Sequence, residues 1–124
     1  MPISSHIDQV KELTTYTATD KLTFDEAMAE VKMFYNLPTK NVVWDLNGVS
    51  ELNISSDEVR EIASFNPRYE NLSRINGKTA IVAPKDLTFG ISRMFQAMSE
   101  YVDAPFTVMI FRTMGEAQEW LENE

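Results

Sequence analysis

Three short apolar runs set the strongest limit on what this chain can become: Val42-Val43-Trp44-Asp45-Leu46, Thr79-Ala80-Ile81-Val82-Ala83-Pro84 and Phe106-Thr107-Val108-Met109-Ile110-Phe111. They do not read as the polar and apolar alternation of a strand with one face in water. Runs of this length are expected of strands covered on both faces, the condition of strands in a parallel sheet. A further strand is predicted at Leu13-Thr14-Thr15-Tyr16-Thr17, which is rich in β-formers and closed by the polar pair Asp20-Lys21. Asn47-Gly48 is predicted to be a turn, and Asn76-Gly77 introduces the second apolar run.

Between these runs lie segments of helical periodicity, three of them announced by a hydroxyl residue with a glutamate three positions on: Thr23 with Glu26, Ser55 with Glu58, Thr113 with Glu116. That spacing satisfies two orphan N–H groups at a helix start. The first helix carries Phe24, Ala27, Met28, Val31, Phe34 and Tyr35 and is ended by Pro38. The second carries Val59, Ile62, Ala63 and Phe65 and stops at Asn66-Pro67. The longest runs from about Asp86 to Val102, with a predicted core stripe of Leu87, Ile91, Met94, Phe95, Met98, Tyr101 and Val102, and Pro105 resets the chain. Ala117, Trp120 and Leu121 face a short last helix. The expectation is a single α/β domain over residues 1–124, ordered βαβαβαβα, in which a four-stranded, mostly parallel sheet is joined by right-handed crossovers.

Composition removes several function classes. At 124 residues the chain can bury roughly two-thirds of its unfolded surface without covalent staples. It has no Cys, so disulfides, thiolate–metal sites and Cys nucleophiles are excluded. The one His, His6, lies near the N-terminus, in a stretch expected to be mobile, and is read as a bystander. No carboxylate pair stands in a catalytic frame, the four glycines are too scattered for a phosphate-cradling loop, and the acidic residues lack metal-loop spacing. No enzymatic activity, cofactor or metal is expected. A net charge of -8 opposes attraction to nucleic acid and to anionic lipid. Neither a secretory start nor an apolar run of membrane-spanning length is present, so the expected location is cytoplasmic.

The stretch Val42-Val43-Trp44-Asp45-Leu46-Asn47-Gly48-Val49-Ser50 through Ser55-Ser56 resembles the central segment of STAS domains, where a buried strand ending in Asp-Leu precedes a Gly-Val-Ser turn and a Ser-containing helix start. The second half is the more diagnostic: Lys78 to Pro84, then Phe89-Gly90-Ile91-Ser92-Arg93-Met94-Phe95, Phe111-Arg112 and Glu116-Ala117-Gln118-Glu119-Trp120-Leu121. It is similar to the SpoIIAA-like family of STAS/CRAL-TRIO-type bacterial proteins. The resemblance covers nearly the whole chain in element order. It implies a four-stranded sheet with four helices and two competing roles: a phosphorylation-controlled protein-interaction module, or a carrier or sensor of a nonpolar ligand, with or without contact to a membrane surface.

The residues bear differently on the two roles. A regulatory phosphoserine would fall on Ser55 or Ser56, but the Gly that should follow is absent and Asp57 and Glu58 stand there instead, where they would repel a phosphate. Ser55 also reads simply as an N-cap. Seven Met and seven Phe offer adaptable apolar surface for the ligand role, although most of them suit the core equally. Phe89 and Met33 fall off their predicted core stripes and are candidates for ligand entry, membrane contact or a homodimer face, Phe89 the more so if Phe65 or Tyr69 lies beside it. Arg93, one turn beyond Phe89, could stack on that ring or hold an anionic head group. Lys85 and Arg112 should emerge with Asp45 at the carboxyl edge of the sheet, either as a local anion site or merely as counter-charges to Asp45, Asp86 and Glu116. The leading expectation is therefore a binding domain for a nonpolar or amphiphilic small molecule with Phe89, Arg93, Met33, Lys85 and Arg112 near its site. The alternative is a protein-interaction regulator switched at Ser55 or Ser56.

Overall fold

The computed structural model describes residues 3–34, 39–65, 76–101 and 106–123, without the side chains of 31–34 and 65. Strands β1 (Ile3–Asp8), β2 (Leu13–Thr23), β3 (Asn41–Asn53), β4 (Lys78–Val82) and β5 (Thr107–Phe111) form one sheet in the order β1-β2-β3-β4-β5. Helices α1 (Phe24–Phe34), α2 (Ser56–Phe65), α3 (Asp86–Tyr101) and α4 (Met114–Glu122) follow β2, β3, β4 and β5. The α/β class stands, but the sheet has five strands and is mixed. β1, the strand missing from the sequence reading, runs antiparallel to β2, and the other pairs are parallel. It leaves little apolar signal because it is an edge strand, mostly exposed apart from Ile3. His6, expected in a mobile start, sits exposed on β1 opposite Thr15.

All three hydroxyl–glutamate pairs cap their helices, two of them as full capping boxes. The Glu58 N–H donates to Ser55 Oγ at 3.2 Å while the Ser55 N–H donates to Glu58 Oε1 at 2.9 Å. Thr23 and Glu26 make the same two contacts. At the third start the Glu116 N–H donates to Thr113 Oγ1 at 3.2 Å, and the carboxylate of Glu116 accepts from the Thr113 hydroxyl at 3.0 Å. The helix stops assigned to Pro38 and to Asn66-Pro67, together with Tyr35, Tyr69, Val102 and Pro105, lie outside the described residues.

Strand order determines where the helices go. β2, β3, β4 and β5 lie side by side in chain order, so each right-handed crossover advances in the same direction and puts its helix on the same face. α1, α2 and α3 therefore share one face, and α4, which follows the last strand, packs on the other. The alternation of side chains follows this division: Val42, Leu46 and Ile81 join the core under the three helices, whereas Val43, Ala80 and Val82 pack with Ala117 of α4. β3 and β4 are covered on both faces as expected. β5 is not, because it is an edge: Thr107 and Met109 are exposed.

Two further expectations are corrected. Asn47-Gly48 does not end a strand; β3 continues to Asn53, and β2 continues beside it to Thr23. Between Thr17 opposite Asp45 and Thr19 opposite Gly48 the ladder shifts by one extra residue of β3, and a second shift follows between Asp20 and Lys21. Gly48 is required by this close approach, since a Cβ there would lie 3.0 Å from the Thr19 methyl and 3.3 Å from the Ala18 carbonyl oxygen. In α3 the buried face carries Thr88, Ser92 and Ser99, while Leu87 and Tyr101 of the predicted stripe are 60% and 90% exposed. The helix is thus turned by roughly one residue position, about 100°, from its most hydrophobic stripe. Small side chains on the inner face let it approach closely, and Thr88 meets its own polar need by donating to the Lys85 carbonyl at 3.0 Å.

Candidate functional site

The extension of β2 and β3 past Gly48, together with the rotation of α3, frames a partly open cavity of about 100 Å³ on the three-helix face. Its base is the sheet, through Trp44 and Leu46 of β3 and Thr79 and Ile81 of β4. Trp44 is held by its neighbour on β2, Tyr16, whose ring stacks on it with centroids 4.5 Å apart. Leu22, Leu52 and Ile54 come from or just beyond the extended strands. The helices close the remaining sides with Ala27 of α1, Val59 and Ile62 of α2, and Ile91, Ser92 and Phe95 of α3. Among the described residues no ionisable side chain lies on this wall. A surface of this kind gains by removing apolar matter from water, but it cannot compensate a buried charge.

The residues singled out from the sequence lie elsewhere. Phe89 is half-buried and packs against the main core, and its ring is covered by the Arg112 guanidinium, 3.9 Å from the centroid. The expected partner, Arg93, does not do this; it is exposed. Arg112 and Lys85 do reach the carboxyl edge of the sheet, and each has partners there. Arg112 donates to the Pro84 carbonyl at 3.0 Å and pairs with Asp86 at 3.1 Å. Lys85 Nζ donates to the Val49 carbonyl at 2.9 Å and so ties the start of α3 to the extended part of β3. Asp45 accepts locally, from the Asn47 N–H at 3.0 Å. Of the counter-charge pairings expected, the one with Asp86 forms. Met33 lies in α1, but its side chain, like that of Phe65, is outside the described residues. Ser55 and Ser56 are exposed at the start of α2, with Ser55 serving as its cap.

Sequence reasoning missed the cavity residues because two signals were read the wrong way. Leu52 and Ile54 stand beyond a predicted turn that proves to be a bulge. The spacing of Thr88, Ser92 and Ser99, four and seven residues apart, marked a helical face of small residues that hydrophobicity alone ranks as solvent-facing.

Neither a protein-family model nor a curated protein sequence matches the chain. Solved structures do match in fold. The anti-sigma factor antagonist SpoIIAA in its unphosphorylated form superposes with a TM-score of 0.53 at 12% identity, covering 98% of this chain and 99% of that one. An uncharacterized DUF3478-family protein with a SpoIIAA-like fold from Shewanella loihica PV-4 superposes with a TM-score of 0.55 at 14% identity, covering 96% and 91%. The chain has the SpoIIAA-like, or STAS, fold. None of its described helices is long and apolar enough to cross a membrane.

Proposed function

We propose that the protein is a binding domain, without a catalytic step, whose cavity on the three-helix face takes a nonpolar or amphiphilic small molecule. The observation that carries this reading is the cavity itself: about 100 Å³, walled by the sheet and three helices, with no ionisable side chain among the described residues of its lining. Apolar concavities bounded by a few polar groups are the usual form of small-molecule sites. The scale suits a ring-sized ligand, since an engineered apolar cavity of roughly 150 Å³ admits benzene. The reading supposes a cytoplasmic protein and assigns Phe89, Arg93, Lys85 and Arg112 at most to the surroundings of the site.

Titration with toluene, followed by thermal denaturation, tests it. A ligand that binds only the folded state raises the midpoint with concentration. Trp44 lies on the wall, so its fluorescence should change as well, and Trp120→Phe leaves it as the sole tryptophan reporter. An unchanged midpoint and an unchanged Trp44 emission up to the solubility of toluene would overturn the reading.

A second reading, a protein-interaction regulator switched at Ser55 or Ser56, is favoured by the exposure of both hydroxyls at a helix N-terminus, where an added phosphate would meet N–H groups. Against it, Ser55 already caps α2 and Glu58 already occupies the Ser55 N–H. Intact-mass measurement of protein from its native source decides between the two, through a phosphate increment on this segment or its absence.

A further inference from the structure

Ser92 is 4% exposed and lies on the cavity wall, yet its hydroxyl has no hydrogen-bond partner among the described residues. Its neighbours are better served: Thr88, 2% exposed one turn earlier, donates to the Lys85 carbonyl, and Thr79, the other hydroxyl residue on the wall, is engaged. A hydroxyl on a largely buried side chain, without a protein partner, gains from one supplied by a bound molecule. Here it borders a space large enough to admit a partner that the described residues do not supply.

Resting on the reading of this cavity as a binding site, we propose that its ligand is a compact, neutral molecule carrying one hydrogen-bonding group, and that Ser92 holds that group. Neutrality follows from the described lining: a carboxylate or ammonium drawn inside would lose its hydration and find no opposite charge among those residues. Compactness follows from the volume of about 100 Å³, which fits one small ring better than an extended chain. The serine hydroxyl both donates and accepts, so a ligand hydroxyl, carbonyl or ether oxygen satisfies it. Water is the poorer occupant, because an ordered water takes two to four polar partners and this wall offers few.

The test is calorimetric titration of the full chain and of Ser92→Ala with three probes of one shape: toluene, benzyl alcohol and benzoate. Both neutral probes should bind the wild type and benzoate should not. The ratio of benzyl alcohol to toluene affinity should fall about three- to tenfold in Ser92→Ala, the factor expected for one hydrogen bond, while the variant melts no lower than the wild type. The use of a ratio removes differences in hydrophobicity between the probes. An unchanged ratio with toluene still bound, or benzoate binding as well as benzyl alcohol, overturns the assignment of Ser92 and of a neutral ligand while sparing the apolar site. If neither neutral probe binds, the site itself is refuted.

Discussion

The two faces of the sheet are built from the same strands but packed to different standards. On the α4 face, Val43, Ala80, Val82 and Ala117 are at most 2% exposed, and their small size brings the helix close to the strands. Trp120 tilts against Phe111 with ring centroids 5.6 Å apart. Lys78 then fastens the helix end: its Nζ donates to the Trp120 carbonyl at 2.7 Å and to that of Asn123, a cation placed where the helix dipole favours one. On the opposite face three helices meet one sheet, and larger side chains leave a space unfilled between them. One helix closes on a sheet along a single seam, whereas three helices and a sheet must satisfy several seams at once. The lesson is that the sealed face serves stability and the gap belongs to the face with more partners.

The comparison breaks most sharply if the same substitution behaves alike on both sides. Ala117→Leu should destabilise by about 2–3 kcal/mol through overpacking, whereas Ala27→Leu, which grows into the cavity, should stay within about 1 kcal/mol of wild type. Denaturant midpoints for the two variants measure the contrast, and equal losses would mean that the cavity is not real space. Gly48→Ala should cost about 1–2 kcal/mol, because the new Cβ presses on Thr19 and on the Ala18 carbonyl where the extended strands begin. Hydrogen exchange should show protection lost first in residues 19–23 and 48–53.

Lys78→Met sharpens the account of the sealed face. It removes the contacts to the last carbonyls of α4 and should cost about 1 kcal/mol, with exchange accelerated in the final turn of that helix. Ser99→Ala probes the three-helix side in the other direction. Ser99 is 3% exposed and its hydroxyl has no partner among the described residues, so the variant should gain about 1 kcal/mol, read as a higher melting temperature.

The smallest expected effect concerns pH. Burial pushes the Glu30 carboxyl in α1 above its ordinary value, so the folded chain binds its proton more tightly than the unfolded chain. Stability should therefore fall as pH rises from the ordinary glutamate range through the raised folded value, and level off above it. Glu30→Gln should flatten that part of the stability profile and leave the rest unchanged.

Much of the fold was legible in the residues because the signals were local. Three hydroxyl–glutamate spacings located three helix starts, and continuous apolar runs located β3 and β4. β1 was invisible because an edge strand needs little apolar pattern, and the bulge at Gly48 looked like a turn because Asn-Gly is chemically suited to one. The candidate site was scarcely legible. Phe89 stands out by its helical phase only against the most hydrophobic stripe of α3, which is not the face the helix buries, and nothing distinguishes Ser92 from any helical serine.

What the sequence determined by itself was the set of elements and their order, since capping, propensity and turn chemistry act over a few residues. Strand order was settled only in three dimensions, by pairing between segments far apart in the chain. With it came the placing of three helices on one face and one on the other. The rotation of α3 was settled in the same way: hydrophobicity favoured one stripe, but close packing against the sheet and α2 selected the face of small residues. That choice left a cavity lined by apolar side chains with Ser92 on its wall, a feature produced by the meeting of several elements and encoded in none of them alone.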